Sequence, residues 1–214
     1  MPRLDERTQI LRFKVVFWGP GQGGKTTALR QIHAAVPPER KGRLVCLSTE
    51  TERTLFFDFA SVHLGRVDGG GPAVAADVYT VPGQVFYVEA RRQLLRNTDA
   101  VAFVADSAEP REGANVESLR NLREVLGGWG LDLDELPLAF LYNKRDLPDA
   151  VPVSRLRAAL NPERRPEFQS VANRGEGVME ILGALCGLLL EQHVFRGAPG
   201  TVDGRWFAVP GFEG

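Results

Sequence analysis

The run Gly19-Pro20-Gly21-Gln22-Gly23-Gly24-Lys25-Thr26 constrains this chain more than any other feature. It has the spacing G-x-x-x-x-G-K-[ST], follows the apolar run Phe13–Trp18 and opens a helical pattern over about Lys25–Ala35. A strand that leaves through a glycine-rich turn into a helix is suited to holding an anion. Residues with little or no side chain let successive backbone N–H groups curl around phosphates. The helix behind them points its positive end at the same place. Lys25 adds a point charge between the β- and γ-phosphates, and the Thr26 hydroxyl is a candidate Mg²⁺ ligand. Gly19, Gly21, Gln22, Gly23, Gly24, Lys25, Thr26 and Thr27 are therefore the candidate nucleotide-binding residues of this segment.

Beyond the loop, short apolar runs alternate with helical patterns, as in a mostly parallel sheet covered on both faces. The spacing predicts further strands over Leu44–Ser48, Thr54–Phe59, Ala73–Val81, Ala100–Asp106, Leu138–Tyr142 and Phe168–Ala172. It predicts helices over Val88–Leu95, Asn115–Leu126, Pro152–Leu160 and Val178–His193, with a turn at Asp68–Pro72. The expected fold class is α/β, a three-layer P-loop NTPase fold of about six mostly parallel strands. It occupies residues 1–195, and a Gly/Pro-rich tail follows over 196–214. A chain of 214 residues with 43% hydrophobic content can bury one sizeable core. Its formal net charge of −1 argues against nucleic acid as a partner. Cys46 and Cys186 lie in no metal-binding spacing and read as buried thiols of a reducing compartment. No apolar run is expected to reach transmembrane length. Pro2 and the ending Phe212-Glu213-Gly214 carry neither lipidation signal, so no direct membrane anchor is expected.

A phosphate loop does not say which base is bound. Asn143-Lys144-Arg145-Asp146, placed after an apolar strand, does. A carboxylate at Asp146 can accept from both N1–H and the exocyclic amine of guanine. Adenine lacks that donor pair and would leave the carboxylate unpaired. The Lys144 stem can lie along the base, and Asn143 can brace this segment against the phosphate loop. A third base contact is expected at Ser170-Val171-Ala172-Asn173, with the Ala172 N–H meeting guanine O6 and Val171 beside it.

Together these motifs resemble the Ras superfamily, and within it the MglA family of bacterial and archaeal small GTPases. The residues that carry the resemblance are GPGQGGKTT at 19–27, TERTLFFDF at 51–59, YTVPGQVFY at 79–87, FVADSA at 103–108 and NKRDLPDA at 143–150. The resemblance covers roughly Phe13 to His193. It implies a Ras-like switch that binds GTP or GDP with Mg²⁺ and hydrolyses GTP slowly. It makes Thr54 the switch I threonine on Mg²⁺ and Arg53 an arginine finger supplied in cis. Gly83 becomes a backbone donor to the γ-phosphate, and Gln84 the residue that orients the attacking water. Gln84, Arg53 and Lys25 are thus the candidate catalytic set. The family also implies a homodimeric roadblock regulator of the MglB kind and a downstream effector on switches I and II. The place of action would be the cytoplasm, with recruitment to a cell pole by partners.

Three departures qualify the resemblance. Thr80 stands where most Ras-like proteins carry an Asp that helps hold Mg²⁺ through water, so another acid such as Asp106 is a candidate stand-in. Gln22-Gly23 is an unusual pair in the loop, and Gly69-Gly70-Gly71 makes the switch I hairpin turn pliable. Alternation places Phe57 and Phe59 on one face of their strand and Phe56 on the other. Arg91, Arg92 and Arg96 read as a solvated face, and His33, His63 and His193 as isolated side chains. Two rival readings stay open, a non-hydrolysing guanine-nucleotide scaffold and an Arf-like trafficking GTPase.

Overall fold

Strand β2 (Ile10–Trp18) alternates its side chains between two apolar layers, and this places it at the centre of the molecule. Phe13, Val15 and Phe17 point into one core, and Val16 and Trp18 into the other. The computed structural model describes residues 2–48, 54–68, 70–81, 88–195 and 202, with the backbone alone at 47–48, 54–56 and 88–90. Around β2 lie β1 (Arg3–Asp5), β3 (Lys41–Ser48), β4 (Thr54–Arg66), β5 (Ala73–Thr80), β6 (Ala100–Asp106), β7 (Leu138–Asn143) and β8 (Glu167–Gln169). They form an eight-stranded sheet in the order β3-β4-β5-β2-β6-β7-β8, with β1 paired to the start of β2. Pairings β5–β2, β2–β6, β6–β7 and β7–β8 are parallel; β1–β2, β3–β4 and β4–β5 are antiparallel.

The helices are α1 (Lys25–Ala35), α2 (Val88–Leu95), α3 (Glu112–Gly127), α4 (Val153–Leu160) and α5 (Val178–Leu190). The first core takes Ala28, Leu29 and Ile32 of α1 with Ile181, Leu182 and Leu185 of α5. The second takes Leu95 of α2, Leu119 and Leu122 of α3 and Leu156 of α4. The expected three-layer α/β architecture is therefore present, and each strand expected from the sequence has its counterpart. The additional β1 is a short arm whose residues pair with Ile10–Arg12. The strand expected over Thr54–Phe59 runs on to Arg66, because alternate positions Ala60, Val62 and Leu64 continue its buried face. The strand expected over Phe168–Ala172 stops at Gln169 and gives way to a 3-10 turn over Ala172–Arg174.

Two further expectations are corrected. Cys186 is buried, and burial pushes its thiol up to about 12, whereas Cys46 on edge strand β3 is only half-buried. Helix α5 with its terminal π-helical turn (Val178–Phe195) is long and apolar enough to cross a membrane by length and composition. Its apolar residues pack against the sheet, as in the core helix of a layered α/β fold. At the end of the sheet where β2 begins, Val67 of the β4–β5 turn bridges to Val202 of the tail. Val67, Val202, Leu11, Val194 and Phe195 close the first core there.

Candidate functional site

The end of β2, the start of α1, and the loops after β6 and β7 meet at one edge of the sheet. Two glycines make that approach possible. Gly19 has φ 146°, and a Cβ there would lie 2.1 Å from the Val104 carbonyl oxygen of β6. Gly24 caps α1 at φ 96°, where a Cβ would lie 2.1 Å from Nδ2 of Asn143. Neither conformation nor space admits a side chain. Gln22, at φ 62° and exposed, is the loop residue that takes a left-handed conformation without being glycine. That geometry costs an ordinary residue about 1 kcal/mol. Lys25 is buried and donates to the carbonyls of Gly19 (3.0 Å) and Pro20 (2.7 Å). Burial, reinforced by the nearby Arg91 guanidinium and opposed by Asp58, pushes its ammonium down to about 7.

The candidate metal ligand Thr26 donates its hydroxyl to Oδ2 of Asp58 at 2.5 Å. Asp58 is fully buried on β4, directly opposite Thr80 of β5 in the strand register. The Thr80 hydroxyl donates to the same Oδ2 at 2.9 Å and accepts from the Asp58 N–H at 3.1 Å. The acid beside Thr26 is thus Asp58 rather than Asp106. Asp106 is instead engaged by Lys144 Nζ at 2.6 Å and lies 3.7 Å from Arg111 Nε. Strand pairing is the physical reason. An acid missing at position 80 is supplied by the facing residue of the adjacent strand, 22 positions earlier in the chain. Hydroxyl and carboxylate oxygens are the hard donors that Mg²⁺ takes, usually completed by phosphate oxygens and water. Among the described residues no cluster of three His, Cys, Asp or Glu side chains could hold a metal ion. The donor set therefore fits Mg²⁺ held jointly with phosphate better than a closed protein cage.

The base-reading segment is tied to the phosphate loop by Asn143. Its Nδ2 donates to the Gly23 carbonyl at 2.9 Å. Its Oδ1 accepts from Ser170 Oγ and from Ala172 N–H, each at 3.0 Å. The expected bracing role of Asn143 is present. The Ala172 N–H, the expected partner of guanine O6, is held beside the loop by this bond to Asn143. Lys144 takes φ 65°, Asp146 is exposed, and Val171 is buried with its N–H donating to the Glu176 carbonyl at 3.1 Å. Arg111, at the start of α3, donates to the Gly21 carbonyl at 2.7 Å and so fixes the loop from its other side.

The structure thus brings Gly19, Gly21, Gly23, Gly24, Lys25, Thr26, Asn143, Lys144 and Ala172 to one edge, with Asp58, Thr80 and Arg111 added. Arg53, Gly83 and Gln84 lie outside the described residues, and Thr54 is described by its backbone alone, at the start of β4. Phe57 and Phe59 do share a face, with ring centroids 5.9 and 4.9 Å from that of Tyr79. Arg91 departs from its expected solvated role. It is buried, with its guanidinium 4.2 Å from the centroid of the Trp18 ring.

No family model matches the chain. It is 49% identical over 192 residues to the mutual gliding-motility protein MglA of Myxococcus xanthus (strain DK1622). The alignment covers 90% of this chain and 97% of that relative.

Proposed function

The chain belongs to the MglA family of small Ras-like GTPases, and from that membership we propose that it binds GTP and GDP with Mg²⁺ and hydrolyses GTP slowly. Its role is control of cell polarity or motility, through a homodimeric roadblock regulator of the MglB kind and an effector on switches I and II. The similar Myxococcus protein is itself named for gliding motility. The observation that carries the nucleotide reading is the Asn143 brace. One side chain holds the phosphate loop at Gly23 and the third base-contact segment at Ala172, so phosphate and base pockets are set at a fixed spacing.

In this reading the backbone N–H groups of the loop and Lys25 hold the β- and γ-phosphates, and Asp146 selects guanine. Thr26, with Thr54 in the GTP state, would hold Mg²⁺. The metal, when bound, neutralises charge that develops on the phosphate oxygens. Gln84 orients water for in-line attack on the γ-phosphorus, and Arg53 meets the charge on the oxygens that the reaction creates.

Single-turnover GTP hydrolysis, with and without an MglB-like roadblock dimer, tests this. Slow intrinsic turnover, stimulated at least ten-fold by the dimer and lost in Arg53→Ala with dimer binding retained, is the expected result. GTP binding with no hydrolysis under saturating dimer would instead identify a non-hydrolysing scaffold. Full stimulation of Arg53→Ala would place the finger elsewhere.

A further inference from the structure

Among the described residues, Arg91 is a charge without a counter-charge. It lies in the core between α2 and the sheet, only 5% exposed. Among the described residues no carboxylate pairs with it, and its Nε has no hydrogen-bond partner. Its guanidinium lies over Trp18, 4.2 Å from the ring centroid. Trp18 is fully buried and fixed by its Nε1–H, which donates to the Ser118 carbonyl of α3 at 2.9 Å. Trp18 is also the residue immediately before Gly19, so Arg91 packs against the strand end that leads into the phosphate loop. Arg91 is near enough to Lys25 for the two positive charges to oppose each other.

A buried ion with no partner is costly, and an apolar side chain of the same shape would fill this space at lower cost. Stacking on the indole offsets only part of that. A packing role alone therefore does not account for arginine here. An anion held at the phosphate loop would offset part of this charge.

We infer that Arg91 is a second buried cation of the nucleotide site, stacked on Trp18 behind the phosphate loop, and that it favours the more highly charged nucleotide. It is a positioning residue that acts through the field and through Trp18 without touching the phosphates. The inference rests on the nucleotide reading above.

The test is equilibrium binding of fluorescent N-methylanthraniloyl GDP and of the same derivative of the non-hydrolysable triphosphate GppNHp. Wild type, Arg91→Met and Arg91→Lys are titrated in magnesium-free buffer, where metal does not mask phosphate charge. One further unit of negative charge at about 10 Å in a medium between protein and water is worth about three-fold in affinity. Arg91→Met should therefore weaken both nucleotides, and GppNHp about three-fold more than GDP. Arg91→Lys should recover most of the loss. A structural role alone would lower the melting temperature and weaken the two nucleotides equally, and that result overturns the inference. So does an Arg91→Met variant that binds both as wild type does. If wild type binds neither nucleotide, the nucleotide reading itself fails, a result distinct from either of these.

Discussion

Binding of nucleotide above neutral pH should take up a proton at Lys25. Burial, with Arg91 beside it, sets this ammonium at about 7, well below the ordinary lysine value of 10.5. Phosphate oxygens against the amine favour its charged form and return it toward 10.5 or higher. The sign follows from linkage. Below pH 7 the lysine is charged before and after binding, and affinity does not depend on it. Between about 7 and the value in the complex, binding draws a proton, and affinity falls as pH rises. At pH 8 uptake should be about 0.9 proton per nucleotide, and between pH 7.5 and 9 the affinity should fall about twenty-five-fold. The range is chosen because phosphate itself, with its second pKa near 6, is fully ionised throughout it. Isothermal titration calorimetry with GDP at pH 8, in buffers of different ionisation enthalpy, reads the proton number from the slope of apparent enthalpy. A slope of zero at pH 8, with affinity flat from pH 7.5 to 9, refutes the argument. Lys25 would then be an ordinary charged lysine before nucleotide arrives.

Two further outcomes follow from hydrogen bonds and donor patterns at the base end. Asn143→Ala removes three hydrogen bonds in a dry region and leaves the Gly23 carbonyl and Ala172 N–H without their partner. It should destabilise the fold by about 3 kcal/mol, read as a lowered midpoint in urea, and an unchanged midpoint would show that the brace is dispensable. Asp146→Asn should exchange guanine preference for xanthine, whose additional oxygen can accept from an amide. Competition of XDP against labelled GDP checks it, and equal displacement of the label by ATP from wild type would remove Asp146 from base selection.

The phosphate loop was legible in the sequence because its chemistry forbids alternatives. Gly19 and Gly24 must lack side chains, since Val104 and Asn143 already occupy the space. Those constraints act over a few residues and leave a spacing. Asn143 was legible for the same reason. Asp58 was not legible as a site residue. Its place beside Thr26 is fixed by the register that sets it opposite Thr80, and a long-range pairing leaves no local mark. Arg111 reaches the Gly21 carbonyl across 90 residues of chain, and Arg91 looked like one of three surface arginines until α2 turned it inward onto Trp18. The full length of β4 leaves no mark in the sequence, because Thr54–Phe59 already fills an ordinary strand length.

The bridge between Val67 and Val202 has a practical meaning for handling this protein. Strand β5 starts beside Ile10 and ends beside Phe17, so the β4–β5 turn and the phosphate loop stand at opposite ends of β2. Eight strand steps put about 26 Å between them. Val202 is therefore held at the end of β2 opposite the phosphate loop. A dye, tether or affinity handle attached at that anchor would report on the protein from its quiet end, and a surface coated through it would leave the nucleotide edge turned outward.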